Sequence, residues 1–432
     1  MLEPTDSDSQ LASAAPDVAD ATQAIERARL RRRALRVLVV GVALGSTGHI
    51  AAATVASIIA DEMAGTSALS GAPGAAVVLG SALGASLLSA LMARRGRRPG
   101  LAAGYAIGVI GALVAIVAIV DRSVPMLLAG TLLVGFGNSA NQLSRYVAAD
   151  MVPVAGRASA IGTVVWAATV GAVLGPNLVG PSGIVAEWLG LPRLAGAYLV
   201  PIAFVGLASV LSYVFLRPDP YDLADEPDPI ETGAGDTGRS LRELIRRPTV
   251  AAALVALVAG QVVMVLIMTM TPVHMAAHGH HVETIGIVIS GHTFGMFALA
   301  PVSGRLTDRF GSGRVIAAGL MVLALASILS TLAPPDGGVI LFVALFLLGY
   351  GWNMGFVAGS TLLTTGIDTA DRTRLQGAAD SVIWSSAIAA SLGSGIVLAY
   401  ASFAALGIIG IALVVVPLWV VVTRRQAIAS SG

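Results

Sequence analysis

The sequence predicts an all-α membrane protein whose helices cross the bilayer many times. Of its 432 residues, 56% are hydrophobic and only 12% are charged, whereas an average soluble domain carries about 25% charged residues. Apolar stretches of about 20 residues, long enough to cross about 30 Å of hydrocarbon as a helix, recur along the chain. The 50 Gly and the aromatic content of 5% favour closely packed helices over a β-barrel with aromatic girdles.

Twelve transmembrane helices are predicted, in two pseudo-symmetric bundles of six. The apolar stretches lie at about 37–60, 70–92, 101–120, 124–146, 159–180, 195–216, 249–271, 284–303, 314–333, 338–360, 378–400 and 403–422. The polar interval between the bundles is rich in Asp, Glu, Pro and Gly, which predicts a flexible linker. The predicted regions are an N-terminal tail 1–36, bundles 37–216 and 249–422, a linker 217–248 and a C-terminal tail 423–432.

The arginines predict the orientation of the chain. All 26 basic residues are Arg, and a cluster from Arg27 to Arg36 precedes the first span. If the N-terminus is cytoplasmic, only Arg122 and Arg193 fall outside, as the positive-inside rule requires. We therefore expect a bacterial inner-membrane protein with both termini in the cytoplasm. The Arg clusters lie beside spans, which indicates topology and no nucleic-acid partner.

The ends of the chain and its residue content limit other functions. The first 24 residues are polar and lack the apolar segment of a signal peptide, so we expect a disordered cytoplasmic tail. Cysteine is absent, which excludes disulfides and thiolate metal sites. No nucleophile triad, phosphate loop or carboxylate metal cluster predicts an enzyme. We expect a monomer that needs no cofactor and whose partners are membrane lipid and a small substrate or metal ion.

Internal similarity shows that the two halves are repeats. The sequence at 132–137, Leu-Leu-Val-Gly-Phe-Gly, recurs as Phe-Leu-Leu-Gly-Tyr-Gly at 346–351, an offset of 214. The segment 89–98 after span two similarly matches 304–314 after span eight, at an offset of 215. Duplication about a central linker is typical of secondary transporters.

The segment 304–314 resembles the short loop that follows the second helix of each half in the major facilitator superfamily, with the pattern G-x-L-x-D-R-x-G-R. The matching residues are Gly304, Asp308, Arg309, Gly311 and Arg314. In the first half Ser89 and Ala93 replace the first Gly and the Asp. The resemblance implies two six-helix halves that rock about a substrate path. It also implies a gating loop in which Asp308 pairs with an Arg or a helix N-terminus, unless the loop is only a positive anchor.

Span five contains a glycine pattern similar to the antiporter motif of drug exporters in this superfamily. The pattern consists of Gly162, Gly171, Gly175 and Pro176. A helix of this kind can pack tightly and flex between the halves, which keeps a proton-coupled multidrug or small-molecule efflux antiporter as an alternative function. Plain helix packing is the other interpretation, since span four lacks the R-x-x-Q-G typical of such exporters.

Two ionisable residues within the predicted spans are candidates for gating or proton coupling. Arg145 lies in span four and Asp380 in span eleven. Intramembrane charges are costly and usually face a path or a partner. Because both lie near cytoplasmic ends, snorkelling to the interface is the alternative.

Methionine and histidine at helical spacing in spans seven and eight predict a soft-metal site. Met264 and Met268 share one helical face, and so do His292 and Met296. Thioether and imidazole donors without carboxylates favour Cu(I) over Mg or Ca. His49 lies 215 residues before Met264 and is a weaker ligand candidate.

The segment between these spans is also rich in possible ligands, because it contains four of the six histidines. These are His274, His278, His280 and His281. Together with the Met and His pairs they resemble the CcoA-type bacterial copper importers of the superfamily, which implies copper uptake through helices seven and eight. Core packing of the methionines, a structural role for His292 and a pH-sensing role for the loop remain alternatives. A membrane metal sensor without transport is a more remote one.

Overall fold

The computed structural model describes residues 6–152, 154–223, 240–334, 338–365, 367 and 369–423. These residues form fifteen α-helices and three short 3-10 helices, at 67–69, 193–195 and 220–223, and no strand. The α-helices of the first half are α1 (Asp6–Ala64), α2 (Ala72–Arg95), α3 (Arg97–Val120), α4 (Val124–Asp150), α5 (Val154–Asn177), α6 (Val179–Trp188) and α7 (Gly196–Phe215). Those that follow are α8 (Leu241–Arg246), α9 (Pro248–Ala277), α10 (Val282–Phe297), α11 (Ala300–Phe310), α12 (Ser312–Leu332), α13 (Gly338–Thr364), α14 (Thr369–Tyr400) and α15 (Phe403–Thr423).

The all-α membrane fold with twelve spans is confirmed. Among the described residues, ten segments are long and apolar enough to cross a membrane, and α5 with α6, bent by 52° at their junction, makes an eleventh. Helix α4 is 27 residues long and occupies the predicted fourth span. It does not reach the apolarity of those segments because Asn138, Asn141, Gln142 and Arg145 lie within it.

The first helix begins earlier than the sequence pattern indicated. We expected a disordered tail over the first 24 residues, but α1 already starts at Asp6. Ala34 and Leu38 are buried in the core of the first half, and the side chain of Arg31 donates to the backbone oxygen of Leu223 at 3.0 Å. Leu, Ala and Arg are strong helix formers, so the helix continues beyond the membrane without a break.

Each half has its own apolar core. One cluster of buried side chains joins α9, α10, α12, α13, α14 and α15, and two clusters serve the first half. Glycines allow close approach within a half: a side chain at Gly111 or Gly130 would collide with the backbone of the helix opposite, because α3 and α4 touch there. We call the side of the bundle on which α1 begins and α15 ends the terminal side, and the opposite side the distal side.

Candidate functional site

The two halves interlock on the distal side. Arg193, before α7, forms an ion pair of 2.9 Å with Glu283 at the start of α10. Asn177 at the end of α5 donates to the Ser290 hydroxyl of α10 at 2.9 Å. The hydroxyl of Thr293 donates to the backbone oxygen of Ala172 at 2.7 Å.

A second distal contact joins α14 to the start of α2. The hydroxyl of Ser391 donates to the backbone oxygen of Gly71 at 2.7 Å. A side chain added at Gly71 or Gly395 would collide with the backbone of the other half. The cross-half hydrogen bonds described here and above therefore lie in the distal half of the bundle.

On the terminal side the same interface helices expose their side chains. Leu83 and Leu87 of α2 are exposed, as are Val382 and Trp384 of α14. A side chain at Gly377 of α14 would meet nothing within 4 Å. The halves are thus joined on the distal side, while the same interface helices leave side chains uncovered on the terminal side.

Helix α4 carries a polar face between the halves. Asn138, Asn141, Gln142 and Arg145 are spaced three and four residues apart and share one side of the helix. The Asn141 amide donates to the Ser46 hydroxyl of α1 at 2.7 Å, and its oxygen accepts from the Tyr105 hydroxyl at 3.2 Å. Within the described residues the amides of Asn138 and Gln142 form no hydrogen bond, so they are free for a ligand.

A small space beside these amides lies between α1, α3, α4 and α7. Its volume is about 10 Å³, room for about one water. We call it the polar niche, and its polar lining consists of His49, Tyr105, Asn138 and Asn141. The Nδ1 atom of His49 is buried and has no hydrogen-bond partner. A buried polar atom without a partner is costly, so a ligand or water in the niche would stabilise it.

The second half has a matching space at the pseudo-equivalent position. It lies between α9, α12 and α13 and also has a volume of about 10 Å³. We call it the aromatic niche because Trp352 and Phe356 line it, 214 residues after Asn138 and Gln142. Their rings stack with centroids 4.8 Å apart. The indole nitrogen of Trp352 donates to the Gln261 oxygen on α9 at 2.8 Å, which fixes the ring.

The predicted soft-metal residues are distributed over two helices that barely touch. Helix α10 packs mainly against α13 and α5, whereas α9 packs against α13, α14 and α15. Met264 is buried in the apolar core of the second half, and Met268 and Met296 are partly buried against it. His292 is fully buried, with Nδ1 2.8 Å from the backbone oxygen of Leu345 and Nε2 without a partner.

The predicted histidine loop is largely helical. His274 lies in the last turn of α9 and stacks on Phe403, with centroids 4.3 Å apart. The ring of His278 is 4.4 Å from that of His274, and its Nδ1 is 2.8 Å from the His274 backbone oxygen. His280 Nε2 is buried without a partner, and His281 is the exposed residue before α10. In the described part of the chain no group of three or more His, Asp or Glu could hold a metal.

The predicted gating loop is a helix, one glycine and a second helix. Gly304, Asp308 and Arg309 lie on α11, and only Gly311, with φ +82°, breaks the helix before Arg314 of α12. Gly96 has the same role in the first half, with φ +92°. A side chain at Gly304 would meet nothing within 4 Å. Since the terminal ends of the halves are apart, Asp308 has no described partner in this conformation.

The corresponding turn of the first half, at Gly96, is stabilised by carboxylates that lie far from it in the sequence. Asp219 accepts hydrogen bonds from the backbone nitrogens of Arg97 and Arg98 at 3.0 and 2.9 Å. The side chain of Arg97 forms an ion pair of 2.9 Å with Asp150. Asp219 therefore caps the N-terminus of α3, although Ala93 stands where the repeat in the second half has Asp308.

The glycines of span five have different neighbours. A side chain at Gly171 or Gly175 would collide with α1 in the same half, whereas one at Gly162 would meet nothing within 4 Å. Pro176 lies at the end of α5, where the chain bends into α6. The α1 contacts support the packing interpretation, and the bend lies where α5 meets α10.

Arg145 and Asp380 face each other across the terminal opening. The guanidinium of Arg145 lies over the Tyr146 ring at 4.8 Å and donates to its hydroxyl at 3.1 Å. Its charge acts on the Asp380 carboxylate of the other half. No ion pair within 4 Å forms between them, so they approach without touching in this state.

Sequence analysis missed the free amides of Asn138 and Gln142 and the aromatic pair. The internal repeat could have indicated these residues. The motif at 132–137 is followed directly by Asn138, and its repeat at 346–351 is followed directly by Trp352. Comparison of the two copies beyond the matched motif would have shown an amide in one half and an aromatic ring in the other.

Known proteins resemble this chain over nearly its whole length. Residues 37–281 and 253–432 match the family model of the Major Facilitator Superfamily. The chain is 36% identical to the uncharacterized MFS-type transporter YdeG of Bacillus subtilis, over 90% of this chain and 91% of that protein. It is 29% identical to the riboflavin transporter RfnT of Brucella anthropi, over 84% of this chain and 88% of that protein.

A solved structure shows the same fold. The crystal structure of the nucleoside transporter NupG superposes with a TM-score of 0.71 at 14% identity, covering 91% of this chain and 98% of that one. Together with the twelve spans, the repeated halves and the one-sided interlock, these likenesses identify a multi-pass membrane transporter and not an enzyme. The chain belongs to the major facilitator superfamily.

Proposed function

We propose that the chain is a secondary active transporter that moves a small organic solute between its two halves by alternating access. The observation that carries the proposal is the one-sided interlock, with hydrogen bonds and the Arg193 to Glu283 ion pair at the distal ends and exposed helix faces at the terminal ends. The free amides of Asn138 and Gln142 supply specific hydrogen bonds within the gap. The name of the RfnT relative, a riboflavin transporter, agrees with an organic solute.

The orientation follows from the arginines. Arg122 and Arg193 lie on the distal side, and the remaining basic residues lie on the terminal side or outside the described residues. By the positive-inside rule this distribution supports a cytoplasmic terminal side, and the proposed state is therefore inward-facing in a bacterial inner membrane. Arg145 and Asp380 are proposed to close the cytoplasmic opening when the distal side opens.

Distance measurements between spin labels test alternating access without knowledge of the substrate. The chain has no cysteine, so labels attach only at introduced sites. One pair, at Leu69 and Leu392, spans the distal contact, and another, at Leu87 and Val382, spans the terminal opening; all four side chains are exposed. We expect two anticorrelated populations in lipid nanodiscs. One fixed distance at both pairs, also after Glu283→Gln, would contradict alternating access.

Copper uptake is a second candidate, favoured by the buried Nε2 of His292 that has no partner. An imidazole nitrogen with a free lone pair in a dry environment suits a soft cation. Met264→Leu keeps the apolar volume and removes the sulfur, and His292→Gln keeps a polar group. Copper accumulation in cells should fall with both variants, with Met321→Leu, an exposed methionine of α12, as the control. Equal accumulation in all four proteins would exclude this candidate.

A further inference from the structure

The two niches are related by the internal repeat but differ in chemistry. Asn138 corresponds to Trp352 and Gln142 to Phe356, each at an offset of 214. A pseudo-twofold relation places equivalent residues at the same depth on opposite sides of the axis between the halves. At one level of the path, the first half thus presents amides and the second half presents aromatic rings.

The exposed members of both sets face the gap between the halves. Helix α4 is in contact with α1, α2, α3 and α5, and α13 with α9, α10, α11 and α12. Gln142 is nevertheless exposed, and Phe356 exposes 38% of its surface. Since α1, α2 and α5 beside α4, and α9 and α10 beside α13, also contact the opposite half, the open side of each helix is directed toward that half.

The Trp352 and Phe356 rings of the aromatic niche are held in a fixed orientation. The Trp352 indole is fixed by its bond to Gln261 and by the stacked Phe356 ring, with an angle of 17° between the planes. A side chain at Gly359, one turn beyond, would collide with Leu257, so α9 and α13 are closely packed there. A pre-oriented flat surface of this kind loses little conformational entropy when another ring stacks on it.

We propose that the solute carries a flat conjugated ring system, which stacks on the Trp352 and Phe356 surface while its polar edge bonds to the amides of Asn138 and Gln142. This assignment rests on the proposed transport function and specifies its substrate class. A flat ring system has an apolar face and a hydrogen-bonding edge. The aromatic rings of the second half can bind the face, and the amides of the first half can bind the edge. An acyclic polyol would bond to the amides but has no flat face to stack on the rings.

Three probes separate the ring from its substituents: riboflavin, which has a tricyclic ring and a polyol chain, lumichrome, which has the ring alone, and ribitol, which has the chain alone. Binding of the first two to purified protein in nanodiscs is followed by quenching of their fluorescence. We expect both to bind and ribitol not to compete. Trp352→Leu should weaken both by about tenfold or more, Trp352→Phe less, and Gln142→Leu should weaken them through the polar edge.

The matched control is Trp419→Leu, an exposed tryptophan of α15 outside the aromatic niche, which should leave binding unchanged. The inference is overturned if neither ring compound binds, or if Trp352→Leu binds them as the wild type does. The spin-label distances are measured on the same variants. If Trp352→Leu and the wild type both exchange between two states, the transport proposal stands whatever the binding result; if the wild type does not exchange, that proposal fails by itself.

Discussion

Arg193 and Glu283 join the two halves of the chain by an ion pair of 2.9 Å on the distal side. Both side chains are about half exposed, and Gly180 lies against the Glu283 carboxylate so closely that an added side chain would collide with it. The pair is thus at the edge of the interlock, where water and salt can reach it. Contacts of this kind set the balance between two conformations more than they stabilise either half.

Glu283→Gln should shift the protein toward the conformation that is open on the distal side. Exposed ion pairs contribute up to about 1 kcal/mol, so we expect a change of up to about fivefold in the population ratio. The measurement is the distance between labels at Leu69 and Leu392. Glu187→Gln is the control, because Glu187 lies 3.7 Å from Arg193 within the same half. High salt should reproduce part of the shift, and an unchanged distance would show that the pair is not a gate.

Asp380→Asn should keep the terminal side open for longer. In the opposite conformation α4 and α14 approach, and the attraction between Arg145 and Asp380 grows as water leaves the gap. The population with a short Leu87 to Val382 distance should therefore fall in the variant. Ser381→Ala, next along α14 and also exposed, is the control; if both variants behave like the wild type, the two charges have no role in closing.

Asp219→Ala should destabilise the first half. The carboxylate accepts three backbone hydrogen bonds, from Arg97, Arg98 and Tyr221. Loss of an N-terminal cap costs about 1–2 kcal/mol. Unfolding in detergent by heat, read by circular dichroism, should show a lower transition temperature. The neighbouring Asp222→Ala removes an exposed carboxylate that caps no helix and should have little effect; equal effects would refute the capping role.

Gly311 and Gly304 should respond differently to alanine although both belong to the same sequence motif. Gly311 has φ +82° and ψ 150°, a conformation essentially restricted to Gly that costs a residue with Cβ about 1–3 kcal/mol. Gly304 lies inside α11 with open space around it, where alanine should stabilise the helix by about 0.5–1 kcal/mol. Thermal unfolding of the two variants provides the test. A stabilised Gly311→Ala would show that the turn can relax.

Much of the fold follows from the sequence because the membrane imposes length and apolarity on each span. All twelve predicted spans overlap helices of the structure. The Arg clusters and the internal repeat can be recognised directly in the amino-acid sequence. Two features depend on tertiary contacts instead. Asp219, more than 120 residues after Ala93 in the sequence, supplies the carboxylate that is missing at Ala93. The bend after Pro176 lies where α5 packs against α10.

The candidate site was less predictable because spacing reports only which residues share a helix face. Met264 and His292 share a site only if α9 and α10 meet, but α10 packs mainly on α13 and α5, and α9 packs on α13, α14 and α15. The soft-metal assignment therefore stays a prediction. Trp352, by contrast, carries no motif, and only its bond to Gln261 and its position opposite the amides of α4 make it a site residue.

The polarity of α4 affects how the chain enters the bilayer. A helix with Asn138, Asn141, Gln142 and Arg145 on one face gains little from contact with lipid alone. Only three residues, 121–123, separate it from the strongly apolar α3, and glycines on both helices allow the backbones to touch. Helices α3 and α4 would therefore insert together as a hairpin, with the apolar helix carrying its polar neighbour across. Bulky residues at Gly111 or Gly130 should then reduce membrane integration of α4 during synthesis, before any effect on transport.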